Sequence, residues 1–125
     1  MNTSSTYSLT FILSAKSKSS FENAIALDST YFDAYNNLAS LYLDQTIDLI
    51  EKKNALSFKQ SKLDASYKKQ IDNLYKQALP HLESCFNLDS ENLAIISVLK
   101  EIYYKLNNSE KSLEMKRLEA SLKSK

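Results

Sequence analysis

His81 and Cys85 stand four residues apart in a stretch of helical apolar spacing, which places an imidazole and a thiol on one face of one helix. Such a pair could supply two ligands to zinc, or a thiol–imidazole couple for nucleophilic attack. The chain has one histidine and one cysteine in all. Further nitrogen or sulfur ligands to complete a tetrahedral site are therefore missing, and no third group is in view to orient the imidazole or hold an oxyanion. Cys85 reads as a small packing residue. No metal, cofactor or enzymatic activity is expected.

The other ionisable groups point the same way. Asp48, Asp64 and Asp72 each stand four residues ahead of a lysine (Lys52, Lys68, Lys76), the orientation that supports an exposed helix face. They give no sign of two carboxyls in separated environments, as acid–base work requires. Lys52, Lys53, Lys59 and Lys62 gather in one short region and could touch an acidic partner or a phosphate, but they read first as a solvated face. Of the eight tyrosines, Tyr35, Tyr42, Tyr67, Tyr75 and Tyr103 fall in apolar stripes and read as core with the hydroxyl at its edge. Tyr104 is the exception, because its neighbour takes the inward position.

Composition narrows the function classes. The 125 residues carry 16 basic and 15 acidic side chains, so no global field favours nucleic acid or an anionic surface. Glycine is absent, which removes dinucleotide and phosphate loops and disfavours primed hairpin turns. A single cysteine leaves the redox compartment open, and localisation stays unknown. No apolar run approaches the ~20 residues of a membrane span. The stretch Tyr7–Ala15 resembles a short signal core but lacks basic residues ahead of it, and Lys16 and Lys18 follow closely. Residues 1–20, with a small apolar patch at Phe11, Ile12 and Ala15, read as a poorly specified leader, partly helical at most.

The elements that would position these groups are helices, and they repeat. Glu22, Leu27, Asp28, Ser29, Leu38 and Tyr42 recur about 61 residues later as Glu83, Leu88, Asp89, Ser90, Leu99 and Tyr103. Phe21, Ala24, Ile25 and Leu27 form a stripe that stops at Asp28-Ser29-Thr30. A second helix starting near Tyr31 carries Tyr35, Leu38, Ala39 and Tyr42, and the pattern runs on through Ile47, Leu49, Ile50 and Leu56. A break is expected at Asn54–Ser57, after which Leu63, Tyr67, Ile71, Leu74, Tyr75, Ala78, Leu82 and Cys85 resume the period. This reads as an antiparallel hairpin of two helices of roughly 25 residues each. Pro80 lies inside the second, and the stripe passes it without a phase change, predicting one kinked helix. Asp89–Asn92 caps a further helix with Leu93, Ile96, Leu99, Ile102 and Tyr103 inward. Asn107-Asn108 ends it, and Ser109 caps a last helix with Leu113, Leu118 and Leu122 inward and Glu119 and Lys123 outward.

Ala24-Ile25-Ala26-Leu27-Asp28-Ser29 and Ala34–Tyr42 resemble a tetratricopeptide repeat (TPR) crossing from one repeat into the next. Ala24 and Ala39 match the family's small positions, and Phe21, Tyr35, Leu38 and Tyr42 its large ones. Ser29 and Ser90 stand where it prefers proline. Ala78, Leu82 and Cys85 match a second helix. The resemblance covers residues 21–125, with an insertion of roughly 27 residues within 43–78 relative to the usual period. It extends to bacterial members with one lengthened hairpin, in which Ala-Leu-Pro is common, as in Ala78-Leu79-Pro80 here. Lys100 departs from the pattern by replacing a small residue. The residues before Ser17 supply no recognisable first helix, so the chain looks like the C-terminal portion of an array.

The resemblance implies an all-α, TPR-like helical repeat of antiparallel pairs with one lengthened hairpin, acting as a non-catalytic scaffold for a protein or peptide partner. Its groove residues would be Asp33, Asn36, Asn37, Ser40, Leu43 and Asp44, then Ser97, Glu101, Tyr104 and Lys105. Asn36/Ser40 and Ser97/Glu101 do not reproduce the family's carboxylate clamp, so a ligand of mixed polar and apolar character is expected. The alternative is a structural self-assembly element, in which the long hairpin, through Leu49 and Ile50, forms a homo-oligomer or docks to further repeats.

Overall fold

The computed structural model describes residues 16–125; the apolar patch at Phe11, Ile12 and Ala15, and the signal-like stretch that contains it, lie outside them. The described chain is all-helical, with five helices packed in antiparallel pairs. Helix α1 occupies 16–27 and so already includes residues 16–20, assigned above to the leader. It is followed by α2 (Phe32–Asn54), α3 (Ser61–Leu88), α4 (Leu93–Lys105) and α5 (Ser109–Lys123). Helix α3 packs against both α2 and α4, and α4 packs against α5.

The turns after α1 and α3 share one backbone hydrogen bond. The Tyr31 N–H donates to the Asp28 carbonyl at 3.1 Å, and the Asn92 N–H donates to the Asp89 carbonyl at 3.3 Å. The two turns are then finished differently. Thr30 donates both its N–H and its hydroxyl to Asp28 Oδ1, at 3.0 and 2.6 Å, which holds that carboxyl below its ordinary range. At the second turn Asn92 Oδ1 accepts the Ile95 N–H at 3.2 Å, a side-chain N-cap on α4.

The hairpin forms because its apolar residues keep one phase. The buried residues of α3 are Ile71, Tyr75, Ala78, Leu82 and Cys85, alternating steps of four and three. Each large buried side chain contributes about 1.5–3 kcal/mol, against ~0.2–0.5 for an exposed ion pair, so the stripe decides the fold. Pro80 sits on the exposed side of this continuous helix, where the missing N–H costs a hydrogen bond without displacing the buried seam. Leu49 and Ile50 are half-buried against the core, which leaves Ile47, Phe58, Leu63 and Leu88 as the large outward apolar residues of the hairpin. Asp64 pairs across the hairpin with Lys53 at 3.2 Å, a partner that the four-residue rule did not give.

Several assignments need correction. Leu27 is 90% exposed, because it lies six residues after Phe21 and thus about a third of a turn off the stripe. Leu93 is exposed in the first turn of α4, while Ile95 is buried. Since α4 is covered by α3 on one side and α5 on the other, its apolar stripe is wider than one face. In α5 the inward set is Met115, Leu118 and Leu122, spaced three and four apart, and Leu113 is 45% exposed. The cap of α5 is Asn108, whose Oδ1 accepts the Lys111 N–H at 3.2 Å, not Ser109. Asn107 takes the left-handed conformation (φ 64°). The N–H groups of Asn107 and Asn108 close the end of α4 on the carbonyls of Tyr104 and Tyr103, at 3.0 and 2.8 Å.

Candidate functional site

The residues assigned to the groove stand on α2 and α4, and these two helices do not pack directly on one another; each packs on α3. On α2, Asp33, Asn37, Ser40 and Asp44 are exposed, Asn36 is half-buried, and Leu43 leans on the core. On α4, Glu101, Tyr104 and Lys105 are exposed, whereas Ser97 is half-buried. The assigned residues thus form two separate polar faces.

The α4 face belongs to a built feature. Tyr104 is 72% exposed and borders an open groove of about 650 Å³ between α4 and α5. Glu101 and Lys105 share its α4 wall, while Ser112, Leu113 and Lys116 form the opposite wall on α5. Two bonds hold the walls in register. The Ser112 hydroxyl donates to the Lys100 carbonyl at 2.9 Å, and Lys100 Nζ reaches Glu119 Oε1 at 2.9 Å. The Lys100 hydrogen bond is the main reason that the Glu119 carboxyl is held below its ordinary range. Sequence reading missed Ser112, Leu113 and Lys116. The signal was present, because Ser109, Ser112, Leu113 and Lys116 share one helical face, but Leu113 had been assigned inward.

Tyr104 stands open, whereas Leu43, 61 residues earlier, is half-buried against the core. An aromatic ring beside Lys105, Lys116 and Glu101 offers stacking area, two cations and one carboxylate.

His81 and Cys85 do not converge. The His81 ring stacks on Tyr42, with centroids 6.0 Å apart and planes 3° from parallel, and Lys18 Nζ lies 5.7 Å from the Tyr42 centroid. Burial lowers the His81 pKa, with Glu22 opposing and Lys18 adding to the shift. The Cys85 Sγ faces the Phe32 carbonyl at 3.8 Å, and burial, reinforced by Asp33, pushes its thiol pKa up to about 11. A thiol so poised is a packing group and a poor nucleophile at neutral pH.

A third cluster lies where α3, α4 and α5 meet, around a cavity of about 390 Å³. The Tyr103 hydroxyl donates to Glu83 Oε2 at 2.7 Å, and Lys111 Nζ lies 3.9 Å from the same oxygen and 5.5 Å from the Tyr103 ring centroid. Burial, then the Glu83 contact, raises the Tyr103 pKa far above that of a free phenol. The hydroxyl is therefore fixed as a donor. Among the described residues, no group of three or more His, Cys, Asp or Glu side chains could hold a metal ion.

Comparison with known proteins found no family model, no curated protein and no solved structure that matches this chain.

Proposed function

We propose that the chain is a non-catalytic, TPR-like interaction scaffold that binds a peptide or protein segment, with the α4–α5 groove around Tyr104 as its principal contact. The observation that carries this reading is the exposure of Tyr104 above a groove whose walls are cross-braced by Lys100–Glu119 and Ser112. A pre-formed concave site with one aromatic anchor and a few charged groups suits a short ligand, because little ordering is needed on the protein side. Lys105 and Lys116 favour acidic residues in that ligand, and Tyr104 with Leu113 favours an apolar anchor between them. The α2 face, with Asn36, Asn37 and Ser40, would serve as a secondary polar contact for a longer segment.

The test is selection of binding peptides from a random display library on the parent chain, followed by affinity measurement on variants. Tyr104→Ala is expected to weaken the selected peptides by roughly tenfold or more, and Asn36→Ala by less. Peptides that bind Tyr104→Ala and Asn36→Ala as tightly as the parent would remove both faces from consideration.

A further inference from the structure

We infer that the apex of the α2–α3 hairpin is a contact site for an anionic lipid surface, with Phe58 entering the headgroup layer and Lys59 and Lys62 pairing with lipid phosphates. This site is separate from the Tyr104 groove.

Length comes first. Helix α2 has 23 residues against 13 for α4, and α3 has 28 against 15 for α5. Ten extra residues at 1.5 Å each carry the hairpin ~15 Å past the reach of α4. The fully buried residues of α2 end at Thr46, and those of α3 begin at Ile71. Beyond them the hairpin holds only half-buried and exposed residues, among them Leu49, Ile50 and Leu56, and it carries its turn away from the main core.

That turn is built. The Gln60 N–H donates to the Ser57 carbonyl at 3.0 Å, and the Ser57 N–H donates to Gln60 Oε1 at 3.0 Å. Phe58 and Lys59 take the two central positions of this reciprocally bonded turn. Phe58 is consequently 90% exposed at a held apex, an orientation that collapse of the ring onto either helix would have removed.

The charges then sort into two classes. Lys52 and Lys53 are matched by Asp48 at 3.1 Å and Asp64 at 3.2 Å. Lys59 and Lys62 have no ion-pair partner among the described residues. The apex therefore presents one aromatic ring and two unmatched cations. A protein partner needs about 20–30 residues a side for a stable interface, far more than a convex turn can offer. A lipid surface needs no complementary shape. An aromatic ring partitions into the headgroup boundary while lysine stems lie along it and their ammonium groups stay with the phosphates. No helix of the described residues is long and apolar enough to cross a membrane, so the contact is with the surface.

The chain contains no tryptophan, so Phe58→Trp installs a single fluorescent reporter at the apex of the full chain. Mixed phosphatidylcholine–phosphatidylserine vesicles are expected to shift its emission to the blue and shield it from a soluble quencher. Pure phosphatidylcholine vesicles should bind roughly tenfold or more weakly, and added salt should reverse the binding. Lys59→Glu with Lys62→Glu, in the same reporter chain and with unchanged helical circular dichroism, should abolish the shift. Unchanged emission at saturating mixed vesicles overturns the inference. So does equal binding to both vesicle types, and so does loss of a protein partner on apex substitution while vesicles remain inert. None of these results touches peptide binding at Tyr104.

Discussion

Lys100 Nζ lies 2.9 Å from Glu119 Oε1 and ties α4 to α5 at the register position that buried Ala39 fills 61 residues earlier. An alanine lets two helices approach closely; a lysine at the same place is tolerated because its stem covers apolar surface while the ammonium reaches a carboxylate. Glu119 also meets Lys123 at 3.9 Å, so the pair is part of a small network.

Lys100→Ala is accordingly expected to lower Tm at neutral pH and to loosen α5. Because Glu119 titrates below its ordinary value in the folded chain, its contribution is complete above about pH 4.3 and is lost as pH falls through the lowered value. Thermal melts from neutral pH down to about pH 3 should show the parent losing more stability than Lys100→Ala, with the two curves converging in acid.

Tyr103→Phe should cost about 0.5–1.5 kcal/mol, since Glu83 loses its shortest donor and keeps only the more distant Lys111. The pH dependence has the opposite sign to that of Glu119. A raised phenol pKa means that the folded state holds its proton more tightly than the unfolded one, so this stability is present below about pH 10 and falls above it. Denaturant titrations on either side of that pH should find the alkaline loss smaller in Tyr103→Phe.

Cys85, fully buried and with its pKa pushed up to about 11, should resist thiol reagents in the native chain. Modification at neutral pH is expected to track unfolding, rising in step with loss of helical circular dichroism as denaturant is added. Rapid stoichiometric labelling of the folded chain would show that the α2–α3 seam opens readily.

Pro80→Ala should stabilise the chain by about 1–3 kcal/mol, because the residue is exposed, lies within a continuous helix, and would regain an N–H for the preceding turn. A higher Tm with an unchanged helical spectrum is the expected readout. A lower Tm would mean that Pro80 is needed for α3 to meet both α2 and α4.

Much of this fold was legible from spacing. The steps of four and three from Ile71 to Cys85 settled α3 through its proline, and Asn54–Ser57 marked the hairpin turn. Assignment failed where one side of a helix was assumed to be buried. Ile95 was missed because α4 is covered on two sides, and Leu113 was turned inward because apolar character was weighed above its five-residue step to Leu118. The site was less legible. Tyr104 followed from its neighbour Tyr103 being inward, but the α5 wall of its groove depends on the angle between two helices. The Phe58 apex rests on the Ser57 N–H donating to the side-chain oxygen of Gln60, which composition does not announce.

The reading of this chain as a peptide-binding scaffold is tested most directly by titrating the isotope-labelled protein with a selected peptide and following its backbone amide resonances. The largest shifts are expected at Glu101, Tyr104 and Lys105 and across the groove at Ser112, Leu113 and Lys116, with smaller ones at Asn36 and Ser40. Shifts confined to other surfaces, together with full-strength binding by Tyr104→Ala, would contradict it.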